Sequence, residues 1–506
     1  MLKKILKYKL LILFIILLSF GSIHLITAYL FSSDTEKILN DQFKKLTDSQ
    51  LIEVVNYKYN KGIFISSSEV ELKINNKLLQ LLNTIPTKNK VTKDSYNFHI
   101  KYHNYIKSGI FAGILSGYFT PTLSIVKTNI EFESNLNRTL NKFFNNKQPL
   151  IITNIIKLDH SGKFIITSPA FNYEEELSKV NLNWGGLLFN IEYDKNFNNF
   201  IKNLALPYIK FNIPTKFNID LKSLNYNSNR ILSENKISIG NNKLKLNNLS
   251  LHTESGILSN INLTNILTSL TGIKINDFIQ EFNLSNTYDL TITNLNYITN
   301  SSDLNNYFSS HAIINIESII FNKYFLGPLN IDFETSHINA KSFNDLITLF
   351  DNKKLNNIEN HENFIESLKN KFIPILIESP VIKLNNFNLV TNKGNIYING
   401  FITTKGFESI DITSQDLFFK KIYFTTNFSI PKDVFNYLLM MQIKYFLNFG
   451  NAEVDDQSYQ SLSEVISILL DNQIKKWKKN KYIKESNGII SSYIILDQNH
   501  LIVTDK

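Results

Sequence analysis

Two kinds of hydrophobic pattern divide this chain. From Leu10 to Phe31 apolar positions run almost without interruption, and beyond them they mostly alternate with polar ones. The run is 22 residues, 15 of them Leu, Ile or Phe; as a helix it measures about 33 Å against a hydrocarbon core of roughly 30 Å. Leu10, Phe14, Leu18, Leu25 and Phe31 mark its length. It is longer than the apolar region of a signal peptide, about 7 to 15 residues, and Ile26-Thr27-Ala28 is a poor cleavage site. The pattern therefore predicts an uncleaved, single-pass membrane anchor at 10–31. His24 within it reads as a neutral imidazole beside Ser22 and Thr27. Lys3, Lys4, Lys7 and Lys9 precede the run and orient it, with a basic cytoplasmic tail at 1–9 and the body, 32–506, across the membrane.

In the body, Ser33-Asp34-Thr35-Glu36 has the form of a capping box. It predicts the start of a short helix with Ile38, Leu39, Phe43 and Leu46 on one face. Alternation at Val54, Tyr57 and Tyr59, a turn at Asn60-Lys61-Gly62 and alternation from Ile63 to Leu72 predict a hairpin. Period two recurs at Ile237–Ile239, Leu244–Leu251, Tyr288–Tyr297, Leu329–Phe333, Val381–Leu389 and Ile396–Ile402, as in antiparallel strands with one open face. Residues 245–251 and 383–389 resemble each other, which hints at strand repeats around 240–300 and 380–405. Helical periodicity appears at 343–350 and 364–372, the second stopped by Pro374, and in a helical C-terminal part, 431–480. There Pro431 sits at a first turn and Tyr459 to Trp477 carries an apolar stripe. A hairpin at 488–504 closes the chain. Strands and helices mix without a βαβ rhythm, so the fold class is α+β, mainly β: an N-terminal transmembrane helix, then an extended, curved antiparallel sheet with flanking helices.

Composition narrows the function classes. Hydrophobic residues are 43% and mean hydropathy is −0.11, enough for a buried core. The formal charge of +9 includes the four lysines before the run, and the +5 that remains is spread too thinly for nucleic-acid binding. The absence of cysteine excludes disulfides, thiolate catalysis and Cys-ligated metals. No Walker loop, dinucleotide fingerprint or nucleophile elbow is present. His99 and His103 share one face of a predicted strand without a third ligand. The paired carboxylates Asp455-Asp456 and Glu174-Glu175-Glu176 read as solvated surface. Gly109, Gly113 and Gly117 repeat at helical spacing, but their surroundings read as a Gly-rich loop or strand. Lys475, Lys476, Trp477, Lys478 and Lys479 form the strongest charge run, a candidate headgroup contact or a helix end complementing the dipole. No catalytic, cofactor or metal residue is assigned.

The anchor, the short helix and Tyr57-Lys58-Tyr59-Asn60-Lys61-Gly62-Ile63-Phe64 followed by Ser66-Ser67 resemble the YdgA-like family of bacterial envelope proteins, a family of unknown function. The likeness continues at Phe325-Leu326-Gly327-Pro328-Leu329, read as a link between two strands, and through 380–402 and the closing hairpin. Tyr57, Tyr59, Lys61, Gly62, Phe64, Gly327 and Pro328 carry it. Lys61 stands where the family favours Arg, and Ser108-Gly109-Ile110-Phe111 stands where it often has His-Gly-Pro-Phe. The resemblance implies an inner-membrane-anchored periplasmic protein and carries over no catalytic residue. With the alternation, it leads to the expectation of a non-enzymatic envelope factor whose apolar sheet face binds a lipid or acyl chain. Its partners would be inner-membrane lipids and that ligand; the alternatives are a periplasmic protein-interaction scaffold and, remotely, a hydrolase.

Overall fold

A computed structural model describes residues 2–48, 52–74, 99–131, 140–254, 287–321, 324–355, 361–436, 468 and 471–505. It is mainly β, a large antiparallel sheet with a few helices, and it divides into two compact units. The first holds the described residues up to Thr215 and Lys222–Ile231; the second holds Lys216–Leu221, those of Leu232–Ser255, and everything described from Thr287 on.

The first unit begins with one unbroken helix, α1 (Leu2–Asp48), 47 residues and about 70 Å long. The side chains of residues 2–19 lie outside the described set, Lys3, Lys4, Lys7, Lys9, Leu10, Phe14 and Leu18 among them. Among the described residues no helix is long and apolar enough to cross a membrane. One expectation changes here: the helix already runs from Leu2, and the Ser33 pattern does not begin one. A capping box signals a start only where the preceding residues are not helical. Here the upstream run propagates through it, and Thr35 bonds back to the Phe31 carbonyl at 2.7 Å.

Ten strands follow: β1 (Ile52–Asn60), β2 (Ile65–Ile74), β3 (His99–Ser108), β4 (Ser124–Glu131), β5 (Ile151–Ile156), β6 (Gly162–Ser168), β7 (Phe171–Glu174), β8 (Asn181–Trp184), β9 (Leu187–Tyr193) and β10 (Asn199–Ile213). β1 to β6 pair in succession, all antiparallel. The ladder then runs β6–β9–β10–β8–β7. The β1–β2 hairpin is the predicted one, with a bulge between Val54 and Asn56. Ile38, Leu39 and Phe43 share a face of α1 by their i, i+1, i+5 spacing and pack with Val70, Leu72, Ile106, Leu123, Val126 and Ile156.

β11 (Phe217–Leu232) is divided between the units. The second unit is a meander of β12 (Ser238–Glu254), β13 (Thr287–Leu304), β14 (Tyr307–Ile316) with β15 (Ser318–Phe321), β16 (Tyr324–Asn339), β17 (Val381–Thr391), β18 (Gly394–Thr404) and β19 (Ile422–Pro431). It ends on β20 (Lys484–Ser486), β21 (Ile489–Asp497) and β22 (His500–Thr504), with β21 pairing to β19, β20 and β22. The period-two segments read at 244–251, 288–297, 329–333, 381–389 and 396–402 all lie in strands of this meander.

Three local expectations fail in this unit. Gly327-Pro328 does not link two strands: it lies inside β16, where the register against β17 slips between Leu326 and Leu329. Gly327 has φ +126°, and a Cβ there would sit 2.7 Å from the Glu317 carbonyl oxygen. Pro374 does not stop its helix, which spans His361–Ile377. Ile375 and Leu376 are buried and Thr404 donates to the Leu376 carbonyl, so tertiary contacts hold the turn beyond the proline. Pro431 ends β19, and helix follows from Lys432. Of the helical part expected at 431–480, residues 437–467 and 469–470, the pair Asp455-Asp456 among them, lie outside the described residues.

Candidate functional site

Two features of the first unit are built around α1. The first is a cradle that grips the helix at residues 20–33. Its floor is the β1–β2 hairpin. Tyr59 donates its hydroxyl to the Ser32 carbonyl at 3.0 Å, and the Ser32 and Ser66 hydroxyls bond at 2.8 Å. Ser66 in turn accepts from the Gly62 N–H at 3.1 Å, closing the turn. Lys61 donates to the Ser33 hydroxyl, and its ammonium lies 4.4 Å from the centre of the Tyr29 ring. The Phe64 ring stacks on His24 at 5.8 Å.

The second wall is the segment between β3 and β4. The Phe111 ring lies 5.4 Å from Phe20 and 5.8 Å from His24, and the Ile110 N–H donates to Thr27 at 3.2 Å. Gly109 has φ +118°, and a Cβ there would meet the His24 ring at 2.5 Å. Ser108 is buried.

The sequence motif thus has a physical role: Tyr59, Lys61, Gly62 and Phe64 hold α1. Tyr57 sits deeper, its ring 5.1 Å from Phe43. Gly327 and Pro328 belong to the second unit and are not brought to this site. Of the anchor positions, Leu25 is exposed, whereas Phe31 packs against the core of the body.

The second feature is a cavity of roughly 590 Å³ beneath the C-terminal half of α1. Register places its lining on one face. Leu72 of β2 faces Ile100 of β3, and Tyr102 and Asn104 of β3 face Ile130 and Thr128 of β4. Thr128 and Val126 face Ile152 and Asn154 of β5, and Asn154 faces Phe164 of β6. Leu39, Gln42 and Phe43 of α1 roof it, and Phe197 and Phe200 close one side. The lining residues are all uncharged and mostly apolar, the composition of a small-molecule pocket.

Gln42, Asn104, Thr128 and Asn154 are hydrogen-bonded to each other or to neighbours, while the Asn154 Nδ2 is buried without a partner among the described residues. Asn104 donates to Ser68 at 2.9 Å and accepts from Thr128 at 2.7 Å. Tyr193 donates to Asn154 at 2.8 Å and accepts from Gln42 at 3.5 Å. Burial pushes the Tyr57 and Tyr102 hydroxyls well above their usual 10, with the charge of Glu36 adding at Tyr57. Burial also raises Tyr193 to about 12, against its two hydrogen bonds. The site is thus equipped to hold an uncharged, apolar chain. Gln42, Tyr102, Asn154, Phe197 and Phe200 were not singled out from sequence; the available signal was the matching parity of apolar residues in β3, β4 and β5.

The remaining candidates do not converge. His103 bonds Glu131 at 2.8 Å on an exposed face, and His99's side chain lies outside the described set. Among the described residues, no three His, Asp or Glu side chains could share a metal. Lys475, Lys476, Lys478 and Lys479 are exposed on a helical stretch, with Lys478 bonded to Glu485 at 2.8 Å. Trp477 turns inward against the cluster of Ile396, Ile430, Ile474, Ile483 and Ile490, which removes it from a headgroup-facing role. Gly109 and Gly117 flank a one-turn helix, Ala112–Leu115, in a loop, as expected.

The sequence model of a family described as bacterial protein of unknown function, DUF945, matches residues 8–506. No curated protein and no solved structure matches the chain.

Proposed function

Because the chain belongs to the DUF945 family of bacterial proteins of unknown function, we propose from the geometry of its first unit that it is an envelope protein holding an acyl chain beside the inner membrane. The carrying observation is the uncharged cavity of roughly 590 Å³ between α1 and β2–β6, within the usual range of about 300–1,000 Å³ for ligand pockets. On this reading α1 crosses the membrane at 10–31, its four lysines keep the N-terminus cytoplasmic, and the body is periplasmic. Tyr57, Tyr59, Lys61, Gly62, Phe64, Gly327 and Pro328 favour the YdgA-like branch of the family.

Leu39 lies about 12 Å along the helix axis beyond Phe31. A chain in the cavity has therefore left the bilayer, and the protein would bind an extracted lipid tail and not merely rest against the surface. Each methylene it buries contributes about 0.8 kcal/mol, roughly fourfold in affinity, so retention should rise steeply with chain length until the cavity is full.

The test is photo-crosslinking of the full chain in nanodiscs with a phospholipid bearing a diazirine in one acyl chain, followed by peptide mapping. Crosslinks to the cavity-lining stretches 100–104 and 126–130 are expected, and Ile130→Trp, which narrows the cavity, should weaken them. Crosslinks confined to residues 2–31 and to the loop at 109–119 would defeat the proposal.

A further inference from the structure

We infer that the loops at 62–65 and 109–119 are sunk into the leaflet facing the body, so that the protein enters the membrane beside its own helix. This rests on reading 10–31 as a membrane span. Phe111 touches Phe20, and Phe64 touches His24. Phe20 lies about 16 Å along the axis before Phe31, near the middle of a hydrocarbon layer of roughly 30 Å. The helix cannot slide to lift the loops clear without drawing Lys7 and Lys9 into the hydrocarbon, among the costliest residues to place there. Loops fixed to that part of the helix go where it goes.

Two independent features suit them to lipid. They expose large apolar side chains outward: Ile63, Phe64 and Ile65 on one, Ile114, Leu115 and Phe119 on the other, with Phe119 91% exposed. No charged residue occurs from Ser108 to Val126. Most backbone N–H groups of the longer loop are also satisfied without water, as irregular chain in a bilayer requires. The N–H groups of Gly109, Ala112, Leu115, Ser116, Gly117, Tyr118, Thr120 and Thr122 bond to backbone carbonyls, and those of Ile110 and Gly113 bond to Thr27 and Thr122 hydroxyls. Lys107 and Lys127 flank the loop where headgroups would lie. The occupant of this apolar collar is the bilayer itself.

The chain has no cysteine, so single-cysteine reporters are clean. Phe119→Cys and Ile63→Cys are compared with Leu177→Cys, a 96% exposed position in the β7–β8 turn, using full chain in phosphatidylethanolamine–phosphatidylglycerol nanodiscs. We expect labelling by a membrane-impermeant maleimide at least tenfold slower at 119 and 63 than at 177. An NBD fluorophore at 119 should be quenched by acyl-chain nitroxide lipids, and one at 177 should not. Equal labelling and no lipid quenching, in chain that still co-migrates with nanodiscs, overturns the collar and leaves the anchor standing. Failure of the chain to enter nanodiscs overturns both.

Discussion

Replacing Gly109 by alanine tests whether the cradle holds α1 as described. Two separate penalties arise. The backbone at φ +118° is one that L-residues rarely adopt, costing of order 1–3 kcal/mol. The new methyl would also lie 2.5 Å from the His24 ring and 3.3 Å from Ala28, and such overpacking costs about 1–3 kcal/mol more. Gly109→Ala should therefore destabilise the first unit by about 2–6 kcal/mol in all. The double variant with His24→Ala separates the terms: removing the ring should restore the packing part and leave the backbone part, a coupling of about 1–3 kcal/mol. Denaturant unfolding of the four chains in one detergent supplies the cycle. Simple additivity, or a Gly109→Ala within 0.5 kcal/mol (roughly the scatter of neutral substitutions), would falsify the contact between this loop and the helix.

Tyr57→Phe removes a buried hydroxyl that has no hydrogen-bond partner among the described residues, so at pH 7 it should leave the melting temperature unchanged or raised. Because burial raises the Tyr57 pKa, its contribution is complete below about pH 10 and lost as pH climbs through the folded value. The variant should show a shallower alkaline decline, and an unaltered alkaline arm would count against the burial. Glu485 is held below its ordinary 4.5 first by the Lys478 hydrogen bond, so its contribution is present above that value and lost as pH falls through the folded one. Glu485→Gln should flatten the acid arm of a stability–pH curve below about 4.5 while costing within about 1 kcal/mol at neutrality. Ile490, fully buried among four other isoleucines, should cost about 2–5 kcal/mol on truncation to alanine, read as a lowered denaturant midpoint; a neutral result would contradict that core.

Local signals in the sequence were reliable where neighbours in the chain are also neighbours in space. Alternation around Asn60-Lys61-Gly62 gave the β1–β2 hairpin, and alternation around Gln498-Asn499 gave β21–β22. They failed where distant contacts decide. The Ser33 pattern is a valid cap in isolation, yet Ser32, Ser33 and Thr35 spend their hydroxyls on Ser66, Lys61 and the Phe31 carbonyl. Gly327-Pro328 has turn chemistry, but close approach of the Glu317 carbonyl makes it a bulge inside a strand. The cavity needs the register of five strands at once, which no single segment encodes. The motif Tyr59, Lys61, Gly62, Phe64 was visible as a motif, and only the fold reveals that its partner is the helix preceding it.

The unbroken course of α1 gives the protein a shaft without a swivel. A flexible tether would let the cavity face any direction; here its height and bearing follow the screw of one helix, about 1.5 Å and 100° per residue. Each residue added between the cradle and Leu39 would turn Leu39, Gln42 and Phe43 away from the sheet they roof, so this stretch tolerates substitution better than insertion. On the proposed anchoring, a span tilted by about 20°, an ordinary value, would carry a point about 15 Å up the shaft sideways by about 5 Å. Whatever sets that tilt would then steer where the cavity stands over the membrane.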